Sequence, residues 1–238
     1  LREADLYAQV MARYVAQASA WTTYQDERGP FVERELDVTL PSGNVLRCRP
    51  DVVVVGAGGG LWLVDHKTAE DFDKGMELRT DFDPQLSFYV RALIQRGIHV
   101  SGAIHNFIRM RLPAVPAVNK DGTMSAVFVI TDEDTVTQTI AKTGAKEPKG
   151  GLIAYLERLP KDAFFRQFVT IRSADELDSI CREIESKVVE RELARERELY
   201  TRTIISECQR CPFFRPCVAG LKGGDEQLIL NEAFRQKQ

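Results

Sequence analysis

The stretch that decides the fold reads RPDVVVVGAGGGLWLVDHKT and runs from Arg49 to Thr68. Its four consecutive valines, at 52–55, are β-branched and predict a short buried strand. The glycine-rich segment 56–60 predicts a turn, and the apolar run 61–64 predicts a second strand that pairs with the first. In the resulting hairpin Asp51 begins one strand and Asp65 ends the other, so we expect the two carboxylates to lie side by side.

Lys67 follows Asp65 by two residues, so in an extended segment both side chains point to the same face. Mg²⁺ and Mn²⁺ prefer oxygen ligands, which Asp51, Asp65 and the backbone carbonyl of His66 would supply. A lysine beside such a metal can orient or deprotonate a water molecule and stabilise charge on a phosphoryl group. The simpler interpretation is a strand pair that carries acidic residues at its ends, because a short motif alone is weak support.

The combination of Pro50-Asp51 with Asp65-His66-Lys67 resembles the signature of the PD-(D/E)XK nuclease superfamily. The resemblance implies an α/β fold with a restriction-endonuclease-like core, in which helices flank a mixed central sheet. It also implies Asp51, Asp65 and Lys67 as catalytic residues, with Mg²⁺ or Mn²⁺ as the cofactor.

Downstream, the spacing of Gln85 and Tyr89 is similar to the Q-x-x-x-Y motif of the RecB-like branch of that superfamily. Asp83 and Pro84 predict the start of a helix that runs to about Gln95, because Asp caps free amides and Pro is tolerated at the first helical position. Four residues apart, Gln85 and Tyr89 share one face of that helix. The resemblance implies that these two side chains hold the nucleic acid.

A second motif lies near the end of the chain, where Cys208, Cys211 and Cys217 have the spacing C-x2-C-x5-C. Closely spaced thiolates favour an iron–sulfur cluster or Zn²⁺ over a disulfide in a protein without secretory features. The trio resembles the carboxy-terminal cysteines of iron–sulfur nucleases, which implies a 4Fe-4S cluster, with Zn²⁺ as the alternative. In those families a fourth cysteine lies far upstream, and we expect it before Leu1.

The remaining cysteines do not fit that position. Cys48 is expected to face the core or the catalytic region, and Cys181 is expected to be a buried thiol on a helix. RecB-like nucleases also carry a metal-site histidine on an early helix, whereas His66, His99 and His105 lie too far along the chain. We expect that histidine, too, before Leu1 unless other ligands replace it.

Glu33 and Glu35 occupy the place of an acidic residue that the superfamily often has before the Pro-Asp strand, and Glu33 is a further candidate metal ligand. The alternating pattern of 31–40 predicts a strand whose acidic side chains face away from the core. The inward positions of that strand are Leu36, Val38 and Leu40.

The chain is predicted to be a single RecB-like nuclease domain over residues 1–238. An opening helix is marked by Leu6, Val10 and Tyr14, and an exposed excursion is expected near 112–125. A long helix is expected near 174–203 and the cysteine loop at 208–217. Further strands are expected near 31–40, 45–55, 61–66, 99–110 and 164–171, and further helices near 131–142 and 152–159. Residues 225–238 are expected either to form a terminal helix or to fray.

The composition suits a cytoplasmic enzyme, because 44% of residues are hydrophobic and no apolar stretch approaches the roughly 18 residues of a membrane span. A net charge of −3 does not exclude DNA, since a local basic groove and metal ions suffice for binding.

The resemblance implies a metal-dependent deoxyribonuclease, more an exonuclease than an endonuclease, acting on single strands or duplex ends in recombination, repair or phage DNA processing. A helicase or recombinase partner is compatible with it. The alternative is a non-catalytic iron–sulfur or zinc subunit that binds DNA and keeps the nuclease fold.

Overall fold

The computed structural model describes residues 8–10, 12, 21–198 and 205–234. The chain forms two compact units, Leu1–Lys187 and Val188–Gln238, and each is described by itself. Within the described residues, no helix combines the length and the apolar character that crossing a membrane requires. Two markers of the predicted opening helix, Leu6 and Tyr14, lie outside the described residues, although residues 8–10 are helical.

A five-stranded mixed sheet forms the centre of the first unit, in the spatial order β1-β6-β7-β8-β9. Only the β7–β8 pair is parallel within this sheet. The other strands of the described residues form two separate hairpins, β2–β3 and β4–β5. The strands are β1 (Thr22–Thr23), β2 (Gln25–Asp26), β3 (Gly29–Pro30), β4 (Leu36–Thr39), β5 (Val45–Cys48), β6 (Val52–Val55), β7 (Leu61–Ala69), β8 (Val100–Arg109) and β9 (Phe165–Thr170).

Helices connect and flank these strands, which confirms the predicted α/β class with a mixed sheet. The crossover from β7 to its parallel neighbour β8 is helical, as parallel pairing requires a long connection. The helices are α1 (Met76–Asp81), α2 (Pro84–Gln95), α3 (Glu133–Thr143), α4 (Leu152–Leu156), α5 (Ala174–Glu196), α6 (Phe214–Leu221) and α7 (Glu226–Ala233).

The main core lies where α2 packs against the central sheet. Leu63 of β7, Ala103 of β8 and Leu86 and Leu93 of α2 all have 0% exposure and belong to one cluster. Each fully buried leucine contributes about 1.5–3 kcal/mol of hydrophobic free energy. The core therefore fixes the position of α2 relative to the strands that carry the acidic motif.

The hairpin and helix predictions around this core are confirmed. Strands β6 and β7 pair antiparallel with Val52 opposite Val64, as the valine run and glycine turn predicted. Helix α2 begins at Pro84, and the Asp83 side chain caps it by accepting a hydrogen bond from the Gln85 amide. The inward positions of β4 are also as predicted, with Leu36 and Val38 buried.

Other predicted boundaries were wrong. The strand expected at 45–55 is two strands in different sheets, because the chain leaves the β4–β5 hairpin at residues 49–51, where Pro50 has no amide hydrogen to donate. The strand expected at 31–40 begins at Leu36, and Glu33 has a left-handed φ of 46°. Strand β7 extends past the predicted end at 66, because its parallel pairing with β8 continues to Ala69.

The sequence predicts an exposed excursion near 112–125, but in the structure this segment is only partly exposed. Met124 has 0% exposure and packs in a second cluster with Val136 of α3 and Tyr155 near the end of α4. A β-bridge between Val118 and Met124 closes this segment on itself. The excursion thus contributes an apolar side chain to a small core of its own.

The second unit contains the cysteine loop. A 3-10 turn at Ser206–Arg210 precedes α6, and α7 ends near Phe234, whose ring stacks on Phe213 at a centroid distance of 4.7 Å. The long helix α5 ends at Glu196, earlier than the predicted 203, and residues 199–204 lie outside the described residues.

Candidate active site

Two carboxylates meet at one end of the β6–β7 hairpin. Asp51 directly precedes β6, and the register of Val52 with Val64 places it beside Asp65. Its Oδ2 atom accepts a hydrogen bond from the backbone amide of His66 at 2.8 Å. Asp65 itself is only 1% exposed. The hairpin therefore brings the two predicted acidic residues together.

A chain of polar contacts runs from Asp65 to helix α2. The Nζ atom of Lys67 lies 2.8 Å from Asp65 Oδ2, and it donates a hydrogen bond to Gln85 Oε1 at 2.7 Å. Gln85 Nε2 in turn donates to the hydroxyl of Tyr89 at 2.7 Å. The structure thus joins the Asp-x-Lys pair and the Q-x-x-x-Y pair in one connected site.

His105 is part of this site, although no motif near it in the sequence predicts this role. It lies opposite Asp65 in the parallel β7–β8 pair, and its Nε2 atom is 3.3 Å from Asp65 Oδ2. The same Nε2 is 3.3 Å from Asp83 Oδ2, and Nδ1 is 3.0 Å from the hydroxyl of Thr80. Sequence reasoning placed His105 too late in the chain for the site and assigned Asp83 only a capping role.

Burial and neighbouring charges act in opposite directions on the pKa values at this site. Burial opposes the charged imidazolium of His105, yet contacts with Asp65 and Asp83 raise its pKa above the ordinary value. Burial alone would raise the pKa of Asp65, but His105 and Lys67 together lower it. The pKa of Asp83 is lowered in the same way, since His105 and the Gln85 amide outweigh its burial. The carboxylates therefore remain ionised at neutral pH.

The ring of His66 belongs to a different polar row. Its Nδ1 atom is 3.1 Å from Asn106 Nδ2, and Gln167 Nε2 donates to Asn106 Oδ1 at 3.3 Å. Trp21 stacks on the imidazole at a centroid distance of 6.3 Å. Burial lowers the pKa of His66 despite the nearby carboxylates of Asp51 and Asp65, so its ring is neutral at pH 7.

The donor set fits a hard divalent ion. The Oδ2 atom of Asp65 is buried. Lys67 and His105 lie within ion-pair distance of this atom, but no described residue donates a hydrogen bond of good geometry to it. Such an oxygen retains lone pairs for a cation. Asp51, Asp65 and the His66 carbonyl would hold the ion. Only two of these three ligands are side chains. Accordingly, no group of three His, Cys, Asp or Glu side chains suited to a metal occurs among the described residues.

The two candidate glutamates have different surroundings. Glu33 is exposed, and its backbone amide donates to the Asp51 carbonyl at 2.7 Å. Its role as a metal ligand stays a prediction. Glu35 is exposed and lies 3.5 Å from Arg47, across the β4–β5 hairpin.

None of the five cysteines, which all lie among the described residues, forms a disulfide bond. Cys48 and Cys181 are buried, which confirms the expectation for both, and burial raises the pKa of the Cys48 thiol to about 11. Cys208 and Cys217 are partly exposed, and Cys211 is exposed. A cluster on these three residues stays a prediction.

A model of the PD-(D/E)XK nuclease superfamily matches residues 2–218. With its mixed sheet and paired carboxylates, the chain belongs to the PD-(D/E)XK nuclease superfamily. Nucleases of this superfamily generally use divalent metals such as Mg²⁺ or Mn²⁺. No curated protein sequence matches the chain.

Two solved structures show weaker likeness. The crystal structure of SSO0001 matches with a TM-score of 0.30 and 18% identity, over 57% of this chain and 56% of that chain. A phage-related exonuclease from Haemophilus somnus 129PT matches with a TM-score of 0.35 and 12% identity, over 79% of this chain and 70% of that chain. This chain thus spans little more than half of SSO0001, and neither likeness adds to the family assignment.

Proposed function

We propose that this protein is a metal-dependent deoxyribonuclease that hydrolyses phosphodiester bonds. The observation that carries the proposal is the 2.8 Å contact between Lys67 Nζ and the buried Asp65 Oδ2, beside Asp51 on the paired strand. A D-x-K sequence by itself does not require Lys67, Asp65 and Asp51 to lie close together. Membership of a nuclease superfamily supplies the reaction class.

In this proposal Asp51 and Asp65 would hold Mg²⁺ or Mn²⁺, with the His66 carbonyl as a third ligand. When bound, the ion would supply Lewis-acid stabilisation of the charge on the phosphoryl group and would activate water. Lys67 lies on the same face, where its ammonium orients the attacking water and stabilises the negative charge that develops on the phosphate oxygens. Hydrolysis adds water across one P–O bond.

Gln85 and Tyr89 hold the nucleic acid in this proposal. Gln85 is exposed, and its side chain is hydrogen-bonded to both Lys67 and Tyr89. It therefore links the catalytic lysine to the exposed face of α2. The RecB-like resemblance favours an exonuclease acting on single strands or duplex ends. A helicase or recombinase partner in repair, recombination or phage DNA processing belongs to the same proposal.

The test is cleavage of end-labelled linear DNA with Mn²⁺ or Mg²⁺, in single-stranded and duplex forms. We expect Asp65→Ala and Lys67→Ala to abolish cleavage. Lys142→Ala, at an exposed lysine in the last turn of α3 that makes none of the contacts described at the site, should leave cleavage unchanged. Cleavage retained in both site variants would exclude this assignment. A chelator should stop the reaction, and added Mn²⁺ should restore it.

We also propose that Cys208, Cys211 and Cys217 ligate a 4Fe-4S cluster, with Zn²⁺ as the alternative. The spacing of the three thiols supports this, as does the absence of a disulfide bond among them. Protein purified without oxygen should contain iron and acid-labile sulfide, and Cys211→Ser should reduce both. Stoichiometric zinc would favour the alternative, and the absence of both metals would contradict the two assignments.

A further inference from the structure

We propose that Asp83 and His105 are positioning residues, which hold the Asp65 carboxylate and the start of helix α2 in one fixed arrangement. This inference rests on the proposed function, because it takes Asp65 as a metal ligand. Neither residue belongs to the Pro-Asp, Asp-x-Lys or Q-x-x-x-Y motifs. Their role follows from contacts between distant parts of the chain.

The polar contacts at the site close into a ring of five residues. From Asp65 Oδ2, the ring passes to Lys67 Nζ at 2.8 Å and on to Gln85 Oε1 at 2.7 Å. The backbone amide of Gln85 donates to Asp83 Oδ1 at 2.6 Å. Asp83 Oδ2 lies 3.3 Å from His105 Nε2, which lies 3.3 Å from Asp65 Oδ2.

The orientation of the His105 ring is fixed from its other side. The Thr80 hydroxyl donates its single hydrogen to the Met76 carbonyl at 3.0 Å, so it can only accept from His105 Nδ1. Thr80 is 1% exposed and His105 is 2% exposed, so solvent does not compete for these contacts. This leaves Nε2 aimed between the two carboxylates.

The two carboxylates come from different elements. Asp65 lies in β7, whereas Asp83 caps α2 and thereby fixes the helix that carries Gln85 and Tyr89. Without the imidazole of His105 between them, the two anionic groups would face each other directly and repel each other. His105 therefore ties the candidate metal ligand to the helix that contacts Lys67. We expect the ring to set metal affinity and cleavage rate together.

Each decisive variant replaces one side chain by another of similar size and removes one contact of the five-residue ring. Asp83→Asn retains a capping oxygen for the Gln85 amide and presents no anion to His105. His105→Gln keeps a neutral polar side chain but removes the imidazole that lies between the two carboxylates. Mn²⁺ binding is measured by calorimetric titration, and cleavage of end-labelled linear DNA is measured under single-turnover conditions across Mn²⁺ concentrations. We expect each variant to lose about 10- to 100-fold in Mn²⁺ affinity or cleavage rate.

A matched control separates positioning from helix capping. Asp132 caps α3 by accepting from the Thr135 amide at 2.8 Å, so Asp132→Asn repeats the substitution at a cap away from the ring. We expect it to leave Mn²⁺ affinity and the cleavage rate at wild-type values. The losses caused by Asp83→Asn and Gln85→Ala should also be non-additive when the two changes are combined, because both residues act through one ring.

Wild-type Mn²⁺ affinity and cleavage in both Asp83→Asn and His105→Gln would overturn the positioning role while leaving the proposed function intact. If His105→Gln does not fold, Asp83→Asn decides by the same criteria. If the wild-type protein neither binds Mn²⁺ nor cleaves DNA, the proposed function fails, and the positioning role fails with it.

Discussion

Asp51→Asn separates two roles that the structure gives to one carboxylate. Asp51 Oδ2 accepts a hydrogen bond from the His66 amide at 2.8 Å, and the proposed function makes the same group a metal ligand. Asparagine can keep the hydrogen bond through its side-chain oxygen, while it removes the negative charge that a divalent ion requires. The substitution thus tests metal binding without dismantling the hairpin.

The two effects differ in size. A hydrogen bond to a charged acceptor contributes about 1.5–3 kcal/mol and one to a neutral acceptor about 0.5–1.5 kcal/mol, so folding stability should fall by about 1 kcal/mol. Loss of several kcal/mol of metal-based charge stabilisation should slow cleavage about 10²- to 10³-fold, since each 1.36 kcal/mol changes a rate about tenfold. Activity should therefore fall far more than stability.

The assay is single-turnover cleavage of end-labelled linear DNA across Mn²⁺ concentrations, with urea denaturation of the same samples. Asp37→Asn is the matched control, because Asp37 also lies on a hairpin but forms an ion pair with Arg47 at 2.8 Å. We expect this control to cleave at the wild-type rate. A rate for Asp51→Asn within about threefold of wild type would refute a metal-holding role for Asp51.

Three further outcomes can be checked. A methyl group at Gly102 would lie 2.7 Å from a backbone oxygen of β9, so Gly102→Ala should lower the free energy of unfolding by about 1–3 kcal/mol. Gly58→Ala is the control: a methyl group there would have no atom within 4 Å, so the free energy of unfolding should change by less than about 0.5 kcal/mol. Tyr89→Phe removes one hydrogen bond from Gln85 and should slow single-turnover cleavage about fivefold, which corresponds to about 1 kcal/mol; a wild-type rate would show that this bond does not matter. Burial raises the pKa of the Cys48 thiol in the folded protein to about 11 from a usual 9.0. Between these pH values the unfolded chain has lost the thiol proton and the folded chain keeps it, so the free energy of unfolding falls as pH rises. Urea denaturation should show a shallower fall for Cys48→Ala, and an equal slope would contradict the raised pKa.

Local sequence determined the elements that carry the Asp-x-Lys site. The valine run and the glycine turn specify the β6–β7 hairpin, and period-two alternation places Lys67 on the same face as Asp65. Asp83 and Pro84 specify the start of α2, and helical spacing brings Gln85 to Tyr89. These features depend on residues close together in the chain, so pattern and propensity were sufficient to predict them.

Local patterns also had clear limits. They did not divide the stretch 45–55 between two sheets, because strand propensity does not report which partner a strand will choose. They did not show that Met124 is buried, because turn-forming neighbours dominate the composition of its segment.

Only the tertiary structure brought His105 to Asp65 and Asp83. The parallel β7–β8 pairing sets that contact, and the two strands are separated in the chain by α1 and α2, so no residue near His105 in sequence reports which residue of β7 it will face. The contact between Lys67 and Gln85 has the same origin, since the buried leucines of α2 position the helix over β7. Sequence thus determined which side chains each element presents, and packing of the core decided which of them meet.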